Sequence, residues 1–178
     1  WQLILAEARQ AARMGFLEIN LDYIRFPSDG RLEETVYPFW DKKKSRQEVI
    51  NEFARFLASR LKEEFPIVQV TADVFGYLLL RDDDLGIGQS IIELTQILDG
   101  VYPMVYPSHY DAGNFNFDNP ARHPYEVVRQ SLAAGRQIFE KRQQPFTKIK
   151  PWLQDFDLGA EYTIAMVREQ MRAVTDAG

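Results

Sequence analysis

The chain has 178 residues, 46% hydrophobic and 13% aromatic, enough for one domain with a substantial core. Its net charge is −5 and its basic residues are scattered, so no basic stripe is available for nucleic acid. No apolar run approaches the roughly 20 residues of a membrane helix, and the lack of cysteine excludes disulfide scaffolds and Cys-ligated zinc.

Residues 2–14 carry Leu3, Ala6, Ala8, Ala11, Ala12 and Met14 at near-helical spacing, and Gly15 closes the run as a C-terminal cap. The opening residues read as the inside of a helix, so the chain is expected to be a fragment of a longer one. A first strand is predicted over residues 17–25, where "FPSDG" breaks it. A polar and aromatic loop over 31–44 ends in "DKKK". A second helix runs from Ser45 to Glu64, with Ser45 and Glu48 forming a capping box and Val49, Phe53, Phe56, Leu57 and Leu61 its buried stripe. The second strand is "IVQVTADVFG", followed by "RDDDLGIGQ" and a short helix near 89–98. The third strand, "GVYPMVYPS", leads into the loop "HYDAGNFNFDNPARH" and a helix from Pro124 to Arg142. The fourth strand is "KIKPWLQDF" and the last helix covers roughly 160–176. "RDDD" lacks the alternating ligands and distal Glu of a calcium loop and reads as a solvated turn.

Strands alternating with helices indicate an α/β fold with a parallel sheet. No strand is followed by GxGxxG or GxxxxGK[ST], so a nucleotide-binding reading has no motif behind it. The strand faces are more telling. Glu18, Asn20 and Asp22 alternate with Leu17, Ile19, Leu21 and Tyr23, and Gln69, Thr71 and Asp73 alternate with Val68, Val70 and Ala72. A doubly wound sheet covers both faces and needs apolar residues on each. In a (β/α)8 barrel the outer face meets helices and the inner face grows polar toward the C-terminal mouth. That geometry puts Asp22, Asp73, Tyr106 and Gln154 near the C-terminal ends of four strands. A full barrel has eight strands in about 250 residues, so the expectation is a partial barrel of about four central βα units, forming a single domain over residues 1–178.

Six segments occur in order: "DYIRFPSDG" (22–30), "ADVFGY" (72–77), "GIGQ" (86–89), "YPMVYPSHY" (102–110), "HPYEVV" (123–128) and "PWLQDF" (151–156). Together they resemble DUF4015, a bacterial TIM-barrel family of glycoside-hydrolase-like domains, over essentially the whole chain. The resemblance implies that the four strands correspond to the fourth through seventh of the barrel, and it implies a glycosidase acting on an external or envelope polysaccharide. Tyr102 departs from the small residue expected there in relatives.

Glycoside hydrolysis uses two carboxyl groups, about 5 Å apart for retention and roughly 6.5–9.5 Å for inversion. Asp22 and Asp73, at equivalent heights on adjacent strands, are the candidate catalytic pair. Their structural alternatives are an Asp22–Arg25 salt bridge and a loop-orienting Asp73. Glu18 lies deeper, in a polar floor layer, and Asp155 alternates outward. Sugars bind through aromatic faces and orienting polar groups, which selects Arg25, Tyr106, His109, Trp152 and Gln154. Tyr23 is expected to pack outward under a helix and His123 to cap one. The two histidines have no metal-ligand spacing, so no metal or other cofactor is expected. The partners expected are a carbohydrate substrate and, to cover the open sheet edges, the rest of the barrel or a second copy. A non-catalytic polysaccharide-binding barrel and a metal-dependent hydrolase of another bond are the rival readings.

Overall fold

The computed structural model describes residues 1–178. The elements follow in the order α1 (Gln2–Arg13), β1 (Glu18–Leu21), α2 (Arg46–Glu64), β2 (Gln69–Phe75), α3 (Ile91–Ile97), β3 (Gly100–Met104), α4 (Pro124–Lys141) and α5 (Ile164–Ala177). The three strands form one sheet in the order β1-β2-β3, with β1 and β2 parallel. The chain divides into two compact units, Trp1–Val74 with Asp83–Val101 and Phe75–Asp82 with Tyr102–Gly178.

In the first unit, the capping box foreseen for α2 is formed: the Glu48 amide donates to Ser45 Oγ at 3.1 Å, and the Ser45 amide donates to Glu48 Oε2 at 2.6 Å. These two bonds satisfy donors that the first turn would otherwise leave unpaired. Phe53, Leu57 and Leu61 of α2 are buried with Val70, Ala72, Val74 and Leu94. Trp1 closes one end of this core, its ring 5.8 Å from Phe53 and 5.6 Å from Phe56.

β1 is shorter than its alternating pattern suggests. It ends at Leu21 because Tyr23 adopts a left-handed backbone, φ +60°, which turns the chain out of the strand. Tyr23 is consequently exposed instead of packed under a helix, and the Arg25 guanidinium lies 4.1 Å from its ring centroid.

The second unit carries its core on α4, where Val127, Val128, Leu132 and Phe139 are buried with Leu78, Leu79 and Val105. The fourth strand expected over 148–156 is reduced to one parallel bridge, Met104 to Trp152. The Trp152 amide donates to the Pro103 carbonyl at 2.9 Å and the Val105 amide to the Trp152 carbonyl at 3.2 Å. The ladder stops on both sides for identifiable reasons. Pro103 has no N–H to offer the Lys150 carbonyl. The Gln154 amide, which the next rung requires, donates instead to Gln170 Oε1 of α5 at 2.9 Å. The sheet therefore has three strands where the sequence pattern gave four.

Candidate active site

The polar face of β1 and β2 is a hydrogen-bonded ladder within the first unit. Register pairs Glu18 with Gln69, Asn20 with Thr71 and Leu21 with Ala72. The Thr71 hydroxyl, almost wholly buried, lies 2.8 Å from Glu18 Oε1 and 3.1 Å from Asn20 Oδ1. Asn20 Nδ2 in turn donates to Asp73 Oδ1 at 2.9 Å. Gln89 Nε2 donates to the Asp73 backbone carbonyl at 3.2 Å, so side chain and main chain of Asp73 are both held. Asp73 is 8% exposed.

Asp22 contrasts with this. It follows the last β1 residue, is exposed, and borders an open depression of about 480 Å³ shared with Trp1, Asn20, Tyr23, Arg25 and Phe53. Asp22 and Asp73 directly follow the last register pair, Leu21 with Ala72. Arg25 is occupied by its own loop, donating from Nη1 to the Phe26 carbonyl at 3.1 Å and to Ser28 Oγ at 3.2 Å. Those bonds and its place over Tyr23 brace the turn that follows Asp22.

The aromatic candidates belong to the second unit. Tyr106 and His109 flank the short turn Pro107–His109, with ring centroids 5.2 Å apart, and Phe156 stands 5.3 Å from Tyr106. Burial of the imidazole holds the His109 pKa below its ordinary value. Beside them is a cavity of about 280 Å³ lined by Phe75, Tyr77, Met104, Tyr106, His109 and Tyr110. Gly76 completes that lining, and a Cβ there would collide with the Met104 carbonyl oxygen and come within 2.9 Å of the Tyr110 hydroxyl. Burial also pushes the Tyr77 and Tyr110 hydroxyls up from their ordinary pKa, so both rings stay neutral.

Trp152 is 45% exposed and meets Tyr102 edge-on at 6.2 Å. Gln154 is committed within the protein. It is fully buried, its Oε1 accepts from the Ser108 amide at 3.0 Å, and its Nε2 donates to the Phe156 carbonyl at 2.9 Å. With its main chain clasped by Gln170, it fixes the two loops that carry His109 and Phe156. His123 precedes α4 without a side-chain cap bond and stacks flat on Phe117, centroids 3.9 Å apart. The "RDDD" aspartates serve local structure, Asp82 pairing with Arg142 at 2.8 Å and Asp83 and Asp84 accepting from the amides of Leu85 and Gly86.

Asn20, Phe75, Tyr77, Met104, Tyr110 and Phe156 were not among the residues the sequence selected. Asn20 stood on the polar face of β1, and its amide was the signal, since a carboxylate on the neighbouring strand needs a donor at that height. The aromatic residues gave no separate signal, because core and cavity walls use the same residue types.

The fold is of the α/β class, a small parallel sheet packed with helices. Residues 1–178 match the family model DUF4015, described as "Putative glycosyl hydrolase domain", and the chain belongs to that family. Among solved structures it is similar to the PgaB (BpsB) glycoside hydrolase domain from Bordetella bronchiseptica, at 19% identity and a TM-score of 0.56. That match covers 74% of this chain and 35% of the other, so the chain spans about a third of its neighbour's length. The likeness carries the fold. No curated protein matches the chain. No helix is long and apolar enough to cross a membrane.

Proposed function

We propose that this chain is part of a glycosidase that cleaves glycosidic bonds of a polysaccharide, with Asp22 and Asp73 as its carboxylate pair. It corresponds to the fourth to seventh strand positions of a (β/α)8 barrel, the last reduced to the Met104–Trp152 bridge, within one domain and with the chemistry at the C-terminal strand ends. The observation that supports this reading is the parallel β1–β2 register, whose last pair, Leu21 with Ala72, immediately precedes Asp22 and Asp73 in the two strands of the ladder. Neighbouring strands lie about 4.8 Å apart, a spacing that supports carboxyl groups within the range such reactions use. The environments also differ as two roles require: Asp73 is buried and accepts from Asn20, while Asp22 stands open to solvent. Sugar contacts are assigned to Arg25, Tyr106, His109 and Trp152, and Gln154 acts as a positioning residue. A polysaccharide substrate fits an extracellular or cell-envelope location.

The test is incubation of the protein with a panel of soluble polysaccharides, following reducing ends and product anomers by proton NMR. Release of reducing ends is expected, and the first anomer formed reports whether the carboxyl spacing serves retention or inversion. Binding without release, in wild type and Asp22→Asn alike, would remove the hydrolase reading and leave a polysaccharide-binding domain.

A further inference from the structure

The cavity beside Tyr106 has the wrong chemistry for a bare sugar ring. A pyranose presents several hydroxyls, each of which needs a hydrogen-bond partner once removed from water. The hydroxyls of Tyr77 and Tyr110 are already committed to the protein. Tyr77 donates to Asp111 Oδ2 at 3.0 Å and accepts from the Asp111 amide at 3.0 Å and from Asn114 Nδ2 at 3.2 Å. The Tyr110 hydroxyl lies 3.0 Å from Ser131 Oγ in a fully buried setting. Phe75 and Met104 offer only carbon and sulfur, and Gly76 offers no side chain.

The size is equally informative. A cavity of about 150 Å³ with apolar walls stays dry and accepts benzene, and this one measures about 280 Å³. Its walls stay uncharged at neutral pH, since burial keeps both tyrosines protonated and favours the neutral imidazole of His109. Nothing in the lining repays the desolvation of an ionic ligand.

We propose that the cavity formed by Phe75, Tyr77, Met104, Tyr106, His109 and Tyr110 is a binding pocket for a small uncharged apolar group carried on a sugar. Two sources share that chemistry, an aryl aglycone and a short O-acyl substituent. The inference rests on the glycosidase reading for the sugar that carries the group, and the pocket's preference can be measured without turnover. Met104 and the tilted Tyr77–Tyr110 pair, 4.9 Å between centroids, supply the polarizable walls.

The experiment is an amide NMR titration of the protein with phenol, with methyl glucoside, and with methyl 6-O-acetylglucoside. Phenol is expected to shift the amides of residues 75–77 and 106–110 saturably, and methyl glucoside to bind there at least tenfold more weakly. If the acetylated glucoside binds better than its parent at the same amides, an acyl source is supported; if phenol alone binds, an aryl source is. Met104→Trp, which fills the cavity, is expected to abolish the phenol shifts. Should that variant lose its helical circular dichroism, Met104→Phe replaces it, with a several-fold loss expected. Methyl glucoside binding as tightly as phenol, or phenol shifts spread over the whole chain, would overturn the proposal. Loss of every glycan-cleaving activity with phenol binding intact would strike the glycosidase reading and leave the pocket standing.

Discussion

The β1–β2 strand end and the cavity beside Tyr106 use hydrogen bonding in opposite ways. At the strand end, the Thr71 hydroxyl lies against Glu18 and Asn20, Asn20 Nδ2 donates to the Asp73 side chain, and Asp22 is exposed. In the cavity, Tyr77 and Tyr110 turn their hydroxyls away into Asp111, Asn114 and Ser131 and leave aromatic carbon facing the space. The first arrangement holds a carboxyl group in a polar, hydrogen-bonded setting. The second removes polar groups from a surface that could have had them. Under the proposed function, chemistry belongs to the former and shape selection to the latter.

Substitutions can break that division, and the largest effect falls on the strand end. Asp73→Asn is expected to lower kcat by about 10²–10⁴-fold with little change in thermal stability, measured by reducing-end release. Next comes Gln154→Leu, which strands the Ser108 amide and the Phe156 carbonyl inside the protein. A loss of about 3 kcal/mol is expected from those unpaired buried groups, equivalent to roughly 10 °C in Tm and read by thermal denaturation.

Ser45→Ala removes one half of the α2 capping box and is expected to cost about 1 kcal/mol, visible in urea midpoints and not in activity. The smallest effect is a pH slope. His109 has its folded pKa lowered by burial, so the unfolded chain takes up the proton first as pH falls. Stability from the neutral imidazole is present above about pH 6.5 and is lost as pH drops through the lowered folded value. His109→Gln should remove that part of the slope in urea titrations between pH 7.5 and 5.

Much of this organisation was legible in the residues. Ser45 and Glu48 marked the start of α2 because a capping box is local, and Val70, Ala72 and Val74 marked a covered strand because burial follows alternation. What escaped the sequence depended on distant partners. Tyr23 ends β1 by a left-handed backbone that no residue-level preference for tyrosine announces. The fourth strand failed because Gln170, sixteen residues onward, takes the Gln154 amide that the ladder needed. Gln154 stood at a strand end with the chemistry of a ligand-binding amide, and only its burial and partners showed that both ends of the amide are spent. The pairing of Asp22 with Asp73 was read from strand alternation, and both residues directly follow the last register pair of β1 on β2, Leu21 with Ala72.

The central claim is that these two carboxylates work as a unit. Residues that act as a unit show non-additive losses, since removing either disables the same step. The most direct test is therefore kcat for Asp22→Asn, Asp73→Asn and the double variant on one polysaccharide, with folding checked by circular dichroism. The account expects each single variant to lose most of the activity and the double variant to lose little more than the worse single. Losses that multiply in the double variant, or a folded single variant that keeps wild-type kcat, would contradict it.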